Sequence, residues 1–418
     1  MLVYVINKQG KPLMPCSARK ARKLLKQGKA KVIKREPFTI QFLYGTSGYK
    51  QPVILGVDAG AKFIGLSAST EKQELFSSEV ELRTDITNLL STRRELRTSR
   101  RNRNTRYRPP RFNNRIKAKK SGWLAPTIQN RINAHLKVVA NVCKILPITK
   151  IVVETASFDT QKLKNPTIEG VEYQQGEQLN FWNVREYVLF RDNHECQYCH
   201  GKSKDNILNV HHLESRKTGG DAPNNLITLC ETCHQKYHAG EIKLKQKRGQ
   251  SFKEAAFMGI MRWSFFNKLK EMYPTIEIKN TYGYLTKNTR IKNKLTKNHH
   301  IDAYCIAGNL KAKRLNYYWY KKQVRKHNRQ IHKLTINKGG NRKRNQTPYL
   351  VKGFRLYDKV KVEGKVGFIF GRRSSGYFDI RTLEGIKISA GISYKKLELI
   401  AKRKTYLIER RKAHSSTD

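Results

Sequence analysis

The segment "VILGVDAGAKFIGLSAST", residues 53–70, carries the pattern that decides the fold. Its first apolar run ends at Asp58, a tight turn with Gly60 follows, and a second run continues to about Ser69. The pattern predicts a buried strand, a turn and a second strand. An acid at a strand end beside a tight turn can face a phosphate, but such residues also serve only to cap turns. Asp58 therefore needs partners from elsewhere in the chain.

Two further segments place acids in similar positions. The run "KIVVETASF", residues 150–158, predicts a short strand whose apolar part ends at Glu154. The run "NHHIDAYCIAGNL", residues 298–310, predicts a helix in which His299 and Asp302 lie on one face. Three acids and a histidine brought together would coordinate two metal ions about 4 Å apart, which is an arrangement that cleaves phosphodiesters.

The charge of the chain indicates a polyanionic partner. Its 418 residues include 85 Lys and Arg against 32 Asp and Glu, a formal net charge of +53. Without neutralisation, such a charge opposes the compact state by self-repulsion. An anionic membrane is the rival partner, but the sequence has no apolar run of about 18 residues and no clear lipidation signal. The N-terminus also lacks the features of a secretory signal, so we expect a soluble intracellular protein without a membrane partner.

An arginine-rich segment lies inside the chain, at residues 93–120. It carries ten Arg and three Lys with one acid, Glu95, and its first half can be helical before Pro109 and Pro110. A disordered basic segment is one interpretation. A helix held against a nucleic-acid backbone better explains the internal position and the choice of arginine, which contacts phosphate in a bidentate manner. The candidate contacts are Arg93, Arg94, Arg97, Arg100, Arg101, Arg103, Arg106 and Arg108.

Four of the seven cysteines form two Cys-x-x-Cys pairs, Cys196 with Cys199 and Cys230 with Cys233. In a chain without a secretory signal, this spacing favours a metal site over disulfides. Two such turns supply the four thiolates of a tetrahedral zinc site, and four thiolates leave no open position for water. The sequence therefore predicts a structural zinc ion.

The histidines near these cysteines are then free for other chemistry. His211 and His212 end a predicted strand, so their side chains point to opposite faces, and one can bind a metal while the other acts as a base. His234 and His238 are four residues apart and share one face of a predicted helix. A hairpin that carries the first pair, packed on this helix, forms a ββα-metal arrangement. Two asparagines before the apolar run "LITL" could orient a ring nitrogen: Asn224 and Asn225.

The order of these motifs over residues 196–238 resembles the HNH endonuclease family. The resemblance implies that His212 is the general base that activates a water to attack phosphorus, and that Asn225 orients it. It also implies a site for one divalent ion, Mg²⁺ or Mn²⁺, with the ligands His211, His234 and, as a candidate third, His238. The CRISPR effector nucleases that have an HNH domain commonly carry Asp at the position of His211. The alternative is a zinc ribbon that only binds nucleic acid.

The strand pair "GVDAGAKFIGLS" resembles the RNase H-like fold of RuvC-type nucleases, and "HHIDAY" is similar to the third motif of that family. The resemblance implies a second Mg²⁺- or Mn²⁺-dependent centre, with His300 as an alternative to His299. Its implied catalytic residues are Asp58, Glu154, His299 and Asp302.

The order of the segments resembles the IscB family of transposon-encoded, RNA-guided nucleases, which are relatives of the CRISPR effectors with two nuclease domains. The first RuvC motif is followed by the Arg-rich segment, the second motif, an HNH insertion and the third motif. The run "KPLMP", residues 11–15, matches the short PLMP domain that marks IscB.

The implied fold class is α/β plus α+β multidomain, with an RNase H-like domain split by an Arg-rich bridge helix and by an inserted ββα-metal HNH domain. The expected parts are a PLMP domain (1–50), RuvC-like segments (51–84, 121–184 and 246–318), the bridge helix (85–120), the HNH domain with structural zinc (185–245), a basic linker (319–347) and a C-terminal β-rich domain that reads a target-adjacent motif (348–418).

The implied function is RNA-guided cleavage of double-stranded DNA. The HNH domain would cut the strand paired to the guide, and the RuvC-like centre would cut the displaced strand. The expected partners are a structured guide RNA (omega RNA) and target DNA, in a monomeric ribonucleoprotein of the prokaryotic cytoplasm that is nucleoid-associated when bound to DNA. Two alternatives are a protein-only homing or junction nuclease and a non-catalytic nucleic-acid-binding protein.

Overall fold

The computed structural model describes residues 2–101, 124, 126–155, 169–170, 172, 175–216, 219–249, 253–325, 335–336, 342–343 and 348–413. The chain divides into two compact units. The first unit combines Met1–Ala156 with Ile260–Asp418, and the second is Ser157–Gly259. No helix among the described residues is both long and apolar enough to cross a membrane. The result is a mixed α/β protein of more than one unit.

The elements are numbered along the chain. The described strands are β1 (Leu2–Ile6), β2 (Pro12–Ser17), β3 (Ala30–Lys34), β4 (Thr39–Phe42), β5 (Ile54–Ala59), β6 (Phe63–Ser69), β7 (Glu74–Glu81), β8 (Lys150–Glu154), β9 (Leu208–His212), β10 (Leu226–Cys230), β11 (Glu277–Thr281), β12 (Tyr317–Gln323), β13 (Thr335–Ile336), β14 (Arg342–Lys343), β15 (Lys359–Val362), β16 (Lys365–Arg372), β17 (Tyr377–Arg381), β18 (Lys387–Ser393), β19 (Glu398–Ala401) and β20 (Tyr406–Lys412). The described helices are α1 (Ala18–Lys26), α2 (Ile86–Arg101), α3 (Pro126–Cys143), α4 (Val184–Arg191), α5 (Glu231–Ala239), α6 (Lys253–Met272), α7 (Gly283–Lys292) and α8 (His299–Ala307).

A seven-stranded sheet forms the centre of the first unit, in the order β11-β8-β5-β6-β7-β12-β20. Strands β5, β6 and β7 are antiparallel neighbours, whereas β8 runs parallel to β5 and β11 runs parallel to β8. Val57 pairs with Val153. The carboxyl ends of β5 and β8 therefore lie side by side, and with them Asp58 and Glu154.

Helix α8 packs closely on β5 and β6 because Gly65 leaves room for its backbone. A Cβ atom on Gly65 would lie 1.8 Å from the carbonyl oxygen of His299, which no side chain can tolerate. This close approach carries the start of α8, with His299 and Asp302, to the end of β5. Gly65, which lies in the second apolar run of the 53–70 segment, is therefore required for this close packing.

The described part of the first unit also contains two smaller sheets and a two-stranded ribbon. The N-terminal sheet has the order β2-β1-β4-β3, and its apolar core includes Val3, Val5 and Ile40. The C-terminal sheet is antiparallel in the order β18-β17-β16-β15-β19. A two-stranded ribbon joins β13 to β14. The boundaries differ from the expected ones at two places, because residues 319–323 of the expected linker form most of β12, and β20 pairs with β12 in the central sheet.

The second unit is built around a β-hairpin and a helix. Strands β9 and β10 pair in antiparallel register, with His212 opposite Leu226 and His211 opposite Ile227. Helix α5 begins directly after β10, and Cys230 caps it by accepting a hydrogen bond from the backbone N–H of Cys233. One apolar cluster of this unit includes the cysteines together with Ile227 and Leu229, and a second one includes Tyr187, Val188 and Leu226.

Candidate nuclease sites

The four cysteines of the two Cys-x-x-Cys pairs form one cluster in the second unit. Their sulfur atoms all lie within 4.8 Å of one another, and the Sγ atoms of Cys199 and Cys230 are 3.8 Å apart. Burial acts to raise the pKa of Cys199, but hydrogen bonds from Ser203 and the neighbouring cysteines lower it to about 6. Four convergent sulfurs suggest a structural zinc site.

We predict that Cys199→Ser lowers the zinc content from about one ion per chain and destabilises the second unit, because structural zinc contributes folding free energy directly. Elemental analysis of the purified protein and thermal unfolding measure the two effects. Cys16→Ser is the matched control, since Cys16 lies outside the cluster in the N-terminal sheet. Equal zinc content in wild type and Cys199→Ser would exclude the four-cysteine site.

Three histidines form a second cluster beside the hairpin. The ring nitrogens of His211, His234 and His238 lie within 4.8 Å of one another, and Nε2 of His234 is 3.3 Å from Nε2 of His238. Nε2 of His211 is buried and has no hydrogen-bond partner among the described residues. Burial, followed by the charges of His234 and His238, lowers the pKa of His211 to about 4. A neutral imidazole with an unused nitrogen fits a divalent metal ion.

His212 lies on the opposite face of β9 from His211, as the sequence predicted. Its Nε2 is 3.0 Å from Oδ1 of Asp221, and its side chain is 28% exposed. The hydrogen bonds of His212 and Arg216 lower the pKa of Asp221. The structure therefore pairs the predicted base with a carboxylate, while its neighbour His211 faces the helix.

Asn225 is fully buried and reaches the backbone of the loop between β9 and β10. Its side-chain oxygen accepts from the N–H of Glu214 at 2.9 Å, and its amide nitrogen donates to the carbonyls of Glu214 and Gly220. A Cβ atom on Gly219 would lie 2.1 Å from this amide nitrogen, so the Gly-Gly motif provides its space. The hydrogen bonds of the Asn225 side-chain amide all go to the backbone of this loop, so Asn225 holds the loop that carries Asp221.

In the first unit, Asp58 and His299 form a direct contact. Nδ1 of His299 is 2.6 Å from Oδ2 of Asp58, and the ring of Phe63 stacks on His299 at a centroid distance of 5.2 Å. Burial by itself would lower the pKa of His299, but the hydrogen bond and charge of Asp58 raise it. His300 points elsewhere: it stacks on Tyr318 at 4.2 Å.

The other two acids are each held by an arginine. Nη2 of Arg262 is 3.2 Å from Oε1 of Glu154, and Nε of Arg290 is 2.9 Å from Oδ1 of Asp302. Burial, followed by the charge of Asp58, raises the pKa of Glu154 and of Asp302, so the three carboxylates are close enough to interact. Within the described part of the chain they do not form a cluster with all ligand atoms inside 4.8 Å, unlike the cysteines and the histidines.

Sequence reasoning missed the polar groups that hold these side chains. Arg262 also donates from Nε to the carbonyl of Ala59 at 3.0 Å, so it bridges the ends of β5 and β8. Arg262 lies on α6, far along the chain from both strands, and no local pattern marks it. Asp221 follows the Gly-Gly motif, which was the available signal for a tight polar loop.

The arginine-rich segment is helical over residues 86–101. Arg93, Arg94 and Arg97 are exposed on it. The side chains of Arg100 and Arg101, and all of Arg103, Arg106 and Arg108, lie outside the described part of the structure.

Two families match this chain. An RRXRR protein family matches residues 3–176, and an HNH endonuclease family matches residues 196–240. Among curated proteins, anaredoxin from Nostoc sp. (strain PCC 7120) is 39% identical over 54 residues, which cover 13% of this chain and 68% of the relative.

Solved structures of Streptococcus thermophilus Cas9 in complex with AGGA and AGAA PAM are also similar. Their TM-scores are 0.30 and 0.34, at 14% and 13% identity, over 44% and 51% of this chain. The chain spans only 26% and 30% of those two proteins. At these TM-scores the likeness supports no conclusion about function. The RRXRR match and the HNH endonuclease match follow one another along the sequence, and together they support the resemblance to the IscB family.

Proposed function

We propose that the protein is an RNA-guided endonuclease that cuts both strands of a DNA target with two separate centres. One observation carries the proposal: each of the two compact units holds its own set of side chains suited to metal-dependent hydrolysis. A protein that cuts one strand, or that only binds nucleic acid, needs no second set. We assign the strand paired to the guide to the HNH centre and the displaced strand to the RuvC-like centre.

In the HNH centre, His212 is the proposed general base. Asp221 accepts a hydrogen bond from Nε2–H of His212, which leaves Nδ1 as the unprotonated nitrogen that takes a proton from the attacking water. Asn225 keeps Asp221 in place through the loop backbone. A divalent ion, Mg²⁺ or Mn²⁺, bound by His211, His234 and His238 would stabilise the negative charge that develops on the phosphate and on the leaving oxygen.

In the RuvC-like centre, we propose Asp58, Glu154 and Asp302 as the metal ligands and His299 as the catalytic histidine. Parallel strands that end in two of these acids, and a helix that brings the third, support an RNase H-like centre. Two ions about 4 Å apart need ligands that are spread more widely than those around one ion, and this suits the wider spacing of the carboxylates. His299 is preferred to His300 because it contacts Asp58, while His300 is only 3% exposed.

The net charge of +53 supports a nucleic-acid partner that presents more phosphates than the two active sites alone would contact. We propose a structured guide RNA, with the bridge helix on its backbone and the C-terminal sheet at a DNA motif beside the target. A protein-only homing nuclease would also use two centres but would not need this excess of charge. Three measurements distinguish the RNA-guided nuclease from the protein-only nuclease. They are the ultraviolet absorbance ratio of the purified protein, its change on RNase treatment, and sequencing of the recovered RNA. Copurification of a structured RNA supports RNA guidance. Cleavage of DNA by RNA-free protein after RNase treatment would contradict it.

We predict that Arg93→Ala with Arg97→Ala weakens RNA binding and RNA-dependent cleavage for every guide alike. The two side chains are exposed and one helical turn apart, so they form a stripe that contacts backbone phosphate. Each lost phosphate contact should lower the slope of log affinity against log salt by about 0.7 to 0.9. The measurement is RNA affinity at several salt concentrations.

Lys72→Ala with Lys311→Ala is the charge-matched control, because both lysines are exposed outside this helix. The control should change affinity less than the arginine pair does. An identical slope and full cleavage in the arginine variant would mean that the exposed arginines do not contact the RNA.

A further inference from the structure

A cavity in the first unit, away from the carboxylates, collects four lysines. It has a volume of about 270 Å³ and lies among β3, α3, β12 and the segment that leads into β20. The lysines that line it are Lys34, Lys137, Lys321 and Lys404. Lysines from four separate segments line this one cavity, which differs from the solvated face of a single basic helix. An anion bound in the cavity would balance their positive charge.

The counter-charge is not supplied by the described part of the chain. Lys321 is only 8% exposed, and its Nζ lies 4.9 Å from the ring centroid of Phe76 instead of beside a carboxylate. Burial, followed by the charge of Lys34, lowers the pKa of Lys321 to about 7. The pKa of Lys34 is itself lowered by burial and then by Lys404. A buried amine without an anionic partner is unfavourable, and a bound anion would relieve it.

The remaining wall is apolar and aromatic. Tyr406, Val138 and Ile145 line it, and Nζ of Lys137 lies 5.9 Å from the ring centroid of Tyr406. The hydroxyl of Tyr406 is buried and has no hydrogen-bond partner in the described residues. The volume is just below the range of about 300–1,000 Å³ for small-ligand pockets, and it exceeds what a phosphate alone would occupy. The wall therefore suits a flat, partly apolar group attached to the anion.

A second cavity of about 350 Å³ borders the first and shares Lys34, Lys404 and Tyr406 with it. It adds further cations, among them Arg35 and Arg403, and one acid, Glu36, which is paired with Lys359. A ligand with more than one phosphate can thus continue from the first cavity into the second. This continuity favours a strand over a free mononucleotide.

We propose that the lysine cavity binds one unpaired nucleotide of a single-stranded nucleic acid, with its phosphate on Lys321 and Lys34 and its base against Tyr406. The neighbouring phosphates of the strand lie along the second cavity. Base-paired nucleotides do not enter, because the base must leave its stack to reach the aromatic wall.

The test uses the full chain freed of bound nucleic acid and does not require DNA cleavage. The probes are tri-uridylate, tri-thymidylate and inorganic phosphate, and the measurement is the affinity and stoichiometry of each by calorimetry. Lys321→Met should weaken trinucleotide binding by about tenfold or more, because a charge-assisted contact is lost. The same variant, free of ligand, should unfold at the temperature of the wild type or higher, because the uncompensated buried amine is gone.

Lys322→Met is the matched control. Lys322 is the next residue on β12, and its Nζ lies 2.9 Å from Glu81, outside the cavity. This control should bind trinucleotides as the wild type does. Tyr406→Leu should weaken trinucleotide binding and leave phosphate binding unchanged, and it carries the test if Lys321→Met fails to fold.

Wild-type affinity in both cavity variants would overturn the proposal, as would equal affinity of the wild-type protein for phosphate and for the trinucleotides. Tighter binding of the uridine or of the thymidine trinucleotide identifies RNA or DNA as the source of the strand. The binding test uses no guide and no target, so its failure would not contradict the two proposed nuclease centres. Likewise, absence of guided cleavage would not contradict the proposed nucleotide cavity.

Discussion

His212→Ala is expected to convert the protein into a nickase that cuts only the displaced strand of its target. The substitution removes the proposed base, and the loss of general-base catalysis should slow cleavage of the guide-paired strand by about 10² to 10⁴-fold. The RuvC-like centre should keep its rate, because Asp58, Glu154, His299 and Asp302 all belong to the other compact unit. The measurement is cleavage of a target whose two strands carry different labels.

The control for this variant is His200→Asn. His200 is exposed in the same unit and has a φ of 50°, which asparagine tolerates. It should cut both strands. Asp221→Asn tests the pairing directly and should fall between wild type and His212→Ala, since the base remains but loses its charged partner. Loss of both cuts in His212→Ala, with RNA loading intact, would contradict two independent centres.

Asp58→Ala is expected to produce the opposite nickase, which cuts only the guide-paired strand. Asp58 lies at the end of β5 and contacts His299 at 2.6 Å, so the substitution removes a proposed metal ligand and the partner of the proposed catalytic histidine. Loss of the metal-ion contribution of several kcal/mol should slow displaced-strand cleavage by about 10³-fold or more.

Asp85→Ala is the control for this second nickase. Asp85 is an exposed acid of the same unit. It forms an ion pair with Arg83, and neither residue belongs to the proposed centre. It should cut both strands at wild-type rates. A target nicked equally on both strands by Asp58→Ala would remove Asp58 from the catalytic assignment. Binding of RNA should be unchanged in each variant, which separates catalysis from assembly.

Strands β5, β6 and β8 of the central sheet could be predicted because their signal is local. Asp58 and Glu154 each close an apolar run, and this pattern located β5 and β8. Their adjacency could not be predicted, because it depends on the parallel pairing of strands that are separated by two strands, two helices and a segment outside the described residues. Pairing of β20 with β12 was missed for the same reason: the partner strands are far apart in sequence.

The histidines of the second unit were predicted more fully than the groups around them. Alternation along a strand determines that His211 and His212 face opposite ways, so a single residue step separates the proposed metal-binding side chain from the proposed base. Asp221 and the amide contacts of Asn225 depend on how the polar loop folds, which no periodicity encodes. Arg262 and Arg290 are likewise defined by tertiary contacts of helices, and they offset the charges of Glu154 and Asp302, which are partly buried.

The central claim is that a bound RNA selects the DNA that two separate centres cut. The most direct measurement assembles the protein with its copurifying RNA, exchanges the guide portion of that RNA, and follows a strand-labelled plasmid that contains both the old and the new target sequences. Both cuts are expected to move together to the new target and to disappear when RNA is omitted. Cuts that stay at the old sequence, or that persist without RNA, would contradict it.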